Sequence, residues 1–163
     1  MKANTTTVWC RRASPLGTMR LVARGGALVG AYFDGQKYDA REGDGWREAP
    51  GDAVLREAGR QFDEYFAGKR ARFDLALEPV GTEFQQRVWR AIAGVPAGET
   101  TSYGEIARRL GCPSSVRAVG AAIGRNPLIV VVPCHRIVGA GGALTGYAGG
   151  LERKRALLAL EQR

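Results

Sequence analysis

The stretch TSYGEIARRLGCPSSVRAVGAAIG, residues 101–124, decides the fold. Ser102 and Glu105 stand at capping-box spacing ahead of Ile106, Ala107 and Leu110, which carry a short helix. Gly111-Cys112-Pro113 ends it. A second helix is predicted from Ser114 or Ser115 to about Gly124. Two short helices around a tight glycine-containing turn have the layout of a helix-turn-helix; an ordinary helical hairpin inside a core has the same spacing. The composition of the second helix favours the first reading. Val116, Val119 and Ile123 form an apolar stripe, while Arg117, Ala118, Ala121 and Arg125 share the other side. Small residues let a helix approach a surface closely, and two arginines flank that strip, which suits a nucleic-acid partner.

Working outward, Thr82 and Gln85 repeat the capping-box spacing ahead of Phe84, Val88, Trp89 and Ile92, and Val95–Thr100 is a loop. Before them, Glu78-Pro79-Val80-Gly81 breaks the pattern and marks a boundary. The first half reads as a hairpin of Thr18–Ala23 and Ala27–Phe33 turned at Gly25-Gly26, a Gly- and Asp-rich loop over 34–51, a helix over 52–67 and a strand over Ala71–Leu77. Downstream, the apolar run Leu128–Val132 reads as a strand leading into Pro133. A Gly-rich segment, Gly139–Gly150, then precedes a last helix, Leu151–Gln162. The expected fold is α/β of the α+β kind. A small N-terminal antiparallel sheet plus helix forms a scaffold over 1–77, a linker covers 78–82, and 83–163 forms a mostly helical domain with a winged helix-turn-helix.

The charge pattern agrees with a polyanionic partner. The 163 residues carry a formal net charge of +8 with a pI near 9.9. The excess sits in the second half, where 11 Lys/Arg face 5 Asp/Glu, against 13 and 11 in residues 1–82. Cys10, Cys112 and Cys134 are odd in number and widely spaced, which implies no disulfide framework. With a single histidine, His135, the chain lacks the close ligand pairs of a structural zinc site, so no metal and no cofactor are expected. No apolar segment reaches membrane-spanning length, and a reducing, cytoplasmic setting with no membrane partner is the expectation.

Chemistry concentrates at Pro133-Cys134-His135-Arg136. A free thiol is only a few per cent ionised at neutral pH, so a reactive cysteine needs a base, and His135 is the one imidazole available. Neighbours on an extended strand point to opposite sides; contact between them requires a turn or a bridging water, and Pro133 suits a bend. Glu161 shares a helical face with Lys154, Leu157 and Leu158, so its carboxylate lies beside buried leucines and could orient the imidazole. The competing readings are a small buried cysteine, a structural histidine and a solvated carboxylate near the chain end.

The run Val-Pro-Cys-His-Arg-Ile-Val (132–138) resembles the active-site signature of the O6-alkylguanine-DNA alkyltransferases, the methylated-DNA–protein-cysteine methyltransferases. Phe84–Trp89, Gly98–Tyr103, Val116–Gly120, Asn126-Pro127 and Thr145–Tyr147 resemble further family motifs in family order, covering nearly all of 82–162. The half before residue 80 is similar only in layout. The resemblance implies direct reversal of DNA damage: O6-alkylguanine, with O4-alkylthymine as a second candidate, is extruded from duplex DNA and its alkyl group passes irreversibly to a cysteine. Each molecule, a monomer, acts once.

By the same resemblance, Cys134 is the acceptor, His135 deprotonates it through a water, and Glu161 holds His135. Asn126 holds the turn after the recognition helix. Arg117 fills the vacated place in the base stack, and Ala118, Ala121 and Arg125 share its DNA-facing helix. Tyr103 crowds the 3′ phosphate and contacts the flipped base. Tyr147, Ala148 and Ile123 belong to the substrate pocket. Ala148 departs from the serine of many relatives, which puts the tolerated alkyl size in doubt. Two rival readings remain: a DNA-binding or lesion-flagging helix-turn-helix protein without chemistry, and a cysteine hydrolase. Flagging relatives lack the acceptor cysteine, which is present here.

Overall fold

The computed structural model describes residues 6–38, 43 and 45–162. Strands β1 (Thr7–Arg12), β2 (Met19–Arg24), β3 (Ala27–Phe33) and β4 (Arg47–Glu48) form one sheet in the order β3-β2-β1-β4. The first three pair antiparallel and β4 adds parallel to β1. The hairpin turns at Gly25 and Gly26, both at positive φ (59° and 84°), the pairing of dihedrals that a two-residue turn between right-twisted strands needs. Strand β1 is not named in the sequence reading, and β4 lies inside the predicted loop; residues 39–42 and 44 of that loop lie outside the described residues. Helix α1 (Ala53–Phe66) starts where the Asp52 carboxylate accepts the Val54 and Leu55 amides, and it lays Leu55, Ala58, Phe62 and Tyr65 on the sheet.

Ala71–Leu77 does not form the expected strand. It is extended, yet touches β3 only through a bridge at Leu28 and Leu77. The Gln61 side chain takes the backbone bonds instead: its amide donates to the Asp74 carbonyl and accepts the Asp74 N–H, both within 2.9 Å. Backbone groups satisfied by a helix side chain have none left for a ladder.

The second half is built from α2 (Glu83–Ala93), α3 (Tyr103–Arg109), α4 (Val116–Gly124) and α5 (Leu151–Glu161), with a short parallel pair of β5 (Thr101–Ser102) and β6 (Ile137–Val138) beside them. The Thr82–Gln85 capping box forms in full. At Ser102 only half of it forms: Ser102 accepts the Glu105 amide, while the Glu105 carboxylate turns to Arg108 and Arg109. Strong guanidinium partners outcompete a single backbone amide. On α4 the buried stripe is Val119, Ala122 and Ile123, and Val116, in the first turn, is exposed. Trp89 Nε1 donates to the Ala122 carbonyl at 2.8 Å and fixes α2 against α4.

Leu128–Val132 is a buried turn rather than a strand. Val130 adopts φ 73°, and the Val132 amide donates to the Leu128 carbonyl at 2.8 Å. Its entry is tied to β3 by Ala31, which donates to Pro127 and accepts from Ile129. One core runs through both halves, from Phe33 and Phe62 to Ile106 and Leu157. Among the described residues no helix is long and apolar enough to cross a membrane. Thr82→Ala removes the side-chain arm of the Thr82–Gln85 capping box, the Thr82 hydroxyl that accepts the Gln85 amide, and leaves the Thr82 amide on the Gln85 side chain; it is expected to cost about 1 kcal/mol, read as a lower urea midpoint with unchanged slope.

Candidate active site

Cys134, His135 and Arg136 form a single 3-10 turn directly after Pro133, closed by the Arg136 amide on the Pro133 carbonyl at 3.0 Å. A 3-10 turn fans successive side chains by about a third of a circle. Cys134 thereby faces a cleft of about 660 Å³, while His135 points into the protein toward α5.

There the Glu161 carboxylate, with a side chain only 2% exposed, collects four donor contacts. His135 Nε2 lies 2.8 Å from Oε2, the Tyr65 hydroxyl donates to the same oxygen at 2.5 Å, and Arg136 donates Nε to Oε1 at 2.9 Å and a terminal nitrogen to Oε2 at 2.8 Å. Burial alone would raise the Glu161 carboxyl; Arg136, His135 and Tyr65 outweigh it and hold the group at about 2. An ionised carboxylate only accepts, so His135 carries its hydrogen on Nε2 and presents a lone pair at Nδ1. That buried Nδ1 has no hydrogen-bond partner among the described residues. Burial keeps the imidazole neutral, below its usual range, against the pull of Glu161.

The cysteine is not a resting thiolate. Burial pushes the Cys134 thiol up to about 11, with the Asn126 amide and the Lys154 ammonium acting in the opposite direction. Asn126 holds the preceding turn: its amide donates to the Val132 carbonyl at 2.7 Å and accepts the Leu128 N–H at 2.9 Å. Lys154 is wholly buried and donates to the carbonyls of Ile137, Thr145 and Gly146 at 2.6, 2.8 and 3.2 Å, which pins the Gly-rich segment over the cleft. Desolvation lowers its ammonium to about 8.

Around the cleft the structure gathers Tyr103, Ala118, Ala121, Ile123, Arg125, Tyr147 and Ala148 with Cys134. The Tyr103 hydroxyl reaches the Gly146 carbonyl at 3.5 Å, and Tyr147 sets its ring edge-on to His135. Ala118 and Ala121 are exposed on α4 beside Arg117, which stands clear of the cleft. The first half contributes as well. Lys37 and Tyr38 line one wall, the Lys37 amide donates to the Ala148 carbonyl at 3.0 Å, and the Arg125 guanidinium lies 3.8 Å from the centre of the Tyr38 ring.

Sequence reasoning does not find Arg136, Tyr65, Lys154, Lys37 or Tyr38. Arg136 could have been found as the neighbour of the reactive pair, and Lys154 as a lysine on a buried leucine face. Tyr65 reads as one more core aromatic of α1. Nothing in local spacing links residues 37 and 38 to position 148.

Comparison with known proteins covers almost the whole chain. Residues 83–163 match the family model described as 6-O-methylguanine DNA methyltransferase, DNA binding domain, and residues 7–79 match its ribonuclease-like domain. The chain is 49% identical over 150 residues to a methylated-DNA–protein-cysteine methyltransferase of Mycolicibacterium paratuberculosis, covering 92% of this chain and 89% of that one. It is 47% identical over 148 residues to the protein of the same name from Methanosarcina acetivorans, covering 91% and 94%. Among solved structures, Mycobacterium tuberculosis OGT in complex with DNA superposes with a TM-score of 0.88 at 45% identity, covering 95% of this chain and 92% of that one.

Arg136→Ala strips the buried Glu161 carboxylate of its two guanidinium bonds and is expected to cost about 3–5 kcal/mol at pH 7. Glu161 is depressed in the folded protein, so its contribution is complete above 4.5 and is lost as pH falls toward about 2. The deficit of the variant, measured by urea unfolding, should therefore shrink across that acid window.

Proposed function

The chain belongs to the 6-O-methylguanine DNA methyltransferase family, and we propose that Cys134 is its alkyl acceptor, activated by His135 and Glu161. The protein repairs DNA directly, taking the alkyl group from O6-alkylguanine onto a cysteine. DNA is the partner. The observation that carries the assignment is the ordered line from Glu161 through His135 to the turn that sets Cys134 in the cleft, with the exposed face of α4 at the rim.

The alkylated oxygen lies inside the duplex, so the nucleotide must be extruded into the cleft, at a cost of a few kcal/mol for unstacking. Arg117 takes the vacated place in the stack, while Ala118 and Ala121 allow close approach in the groove and Arg125 meets the backbone. Tyr103 crowds the flanking phosphate. Tyr147, Ala148 and Ile123 enclose the base. With the lesion seated, the Cys134 proton passes through a water to Nδ1 of His135, and Glu161 stabilises the imidazolium. The sulfur attacks the alkyl carbon, a carbon–sulfur bond forms and the carbon–oxygen bond breaks. The electron pair leaves with guanine, which Tyr103 assists by hydrogen-bond donation and which takes up the displaced proton. The thioether is permanent, so each chain acts once. A thiol that stays high until substrate arrives is protected from adventitious oxidation.

We propose that residues 1–77 form the scaffold, 78–82 the linker and 83–163 the DNA-binding and alkyl-transfer unit. A reaction that needs a reduced acceptor thiol fits the cytoplasm, where cysteines stay free.

Incubation with O6-methylguanine duplex is expected to add the mass of one methylene to the peptide containing Cys134, once per chain, and to add nothing in Cys134→Ala. Binding without an adduct would point to a flagging protein, and repeated turnover without modification to a hydrolase. Arg117→Ala should slow reaction on duplex DNA by about tenfold or more while sparing free O6-benzylguanine; equal loss on both substrates refutes the stacking role.

A further inference from the structure

Tyr65 stands out among the donors to Glu161 because it comes from the other half of the molecule, 96 residues away on α1. Its ring is 2% exposed and packs against Phe66 and Phe73, with centroids 5.3 and 5.4 Å away. A phenylalanine would pack there as well and would spare the cost of burying a hydroxyl. The hydroxyl is therefore placed for its one bond, to the oxygen that also faces His135 Nε2.

We infer that Tyr65 is a positioning residue of the alkyl-transfer site, acting through Glu161 to set how readily His135 takes up a proton. The inference rests on the alkyl-transfer reading above. Arg136 and Tyr65 do different work on the carboxylate. Arg136 supplies charge and keeps it ionised. Tyr65 is neutral, its own proton held tightly by burial and by the carboxylate beside it, and it draws electron density from Oε2. A carboxylate sharing that oxygen with a phenol holds an imidazolium less strongly, so His135 remains a neutral base at lower pH.

Other groups face the pair from the elements packed around it. The 3-10 turn brings Arg136 and Cys134, α5 brings Lys154, and the Gly-rich segment brings Tyr147. Arg136 and Lys154 oppose protonation of His135, and neither hydrogen-bonds to it. Tyr65 is thus the neutral group that modulates the Glu161–His135 bond itself.

The test compares full-length Tyr65→Phe, and Phe73→Leu as a packing control, with the unsubstituted protein. Because the chain has one histidine, its ring signals report His135 by NMR in unreacted protein. Tyr65→Phe is expected to move the His135 titration to higher pH. It should also slow reaction with free O6-benzylguanine by about threefold near pH 6 and by less near pH 8, while leaving the affinity for duplex DNA unchanged. Phe73→Leu should lower the unfolding midpoint and leave the titration in place. Overlaid titrations of Tyr65→Phe and the unsubstituted protein, or equal displacement by both variants, overturn the inference. A readout that needs no variant is the Tyr65 hydroxyl proton, which should resonate far downfield and shift as His135 titrates; constancy also overturns it. An unsubstituted protein that forms no adduct overturns the alkyl-transfer reading instead, while the NMR titrations still decide whether Tyr65 couples to His135.

Discussion

Everything at this site hangs on one buried carboxylate. Glu161 is sequestered from water and is kept ionised by Arg136, His135 and Tyr65. An unpaired carboxylate in that position would take up a proton or disrupt the core. Its donors come from the tight turn after Pro133, which aims consecutive side chains apart, and from α1, which carries a hydroxyl inside an aromatic cluster. The ion pair also decides the histidine tautomer, and the tautomer decides which nitrogen can act as a base.

The arrangement separates stability from reactivity. Thiol and imidazole both rest neutral, Cys134 raised and His135 lowered, each chiefly by burial. The reacting pair, Cys134 and His135, carries no charge at rest, and the cost of creating one is set by groups already fixed in the fold. Lys154 belongs to the same economy: three carbonyls hold its ammonium, and its field reaches the sulfur without a direct bond.

Much of this was legible in the sequence because its signals are local. The Thr82–Gln85 box, the hairpin at Gly25-Gly26, the two short helices of 101–124 and the turn at Pro133 each depend on residues a few positions apart. Helical spacing and the cost of a carboxylate near leucines made Glu161 a candidate partner for His135, and the family resemblance singled it out. What was missed is non-local or contested between partners. Ala71–Leu77 has strand composition, but Gln61 claims the backbone of Asp74 in its middle. Leu128–Val132 has strand composition as well, and its contacts with Ala31 bend it into a turn that a β-branched residue completes at positive φ. Val116 sits at the right period and is nevertheless exposed, because periodicity alone does not say which turns of a helix a neighbour covers. Tyr65, Lys37 and Tyr38 reach the site only through the docking of one half on the other.

The stack of Arg125 on Tyr38 gives the two arginines of α4 unequal footing. A guanidinium held over a ring has its rotamers already settled. Ordering such a side chain costs on the order of 0.5–1.5 kcal/mol when it happens at the moment of binding. In the backbone-facing role proposed for it, Arg125 has met that cost during folding and acts as a fixed post at the mouth of the cleft. Arg117, exposed at the other end of the helix, would give up its freedom only on arrival, which suits the role proposed for it, one that begins after a nucleotide has left its place.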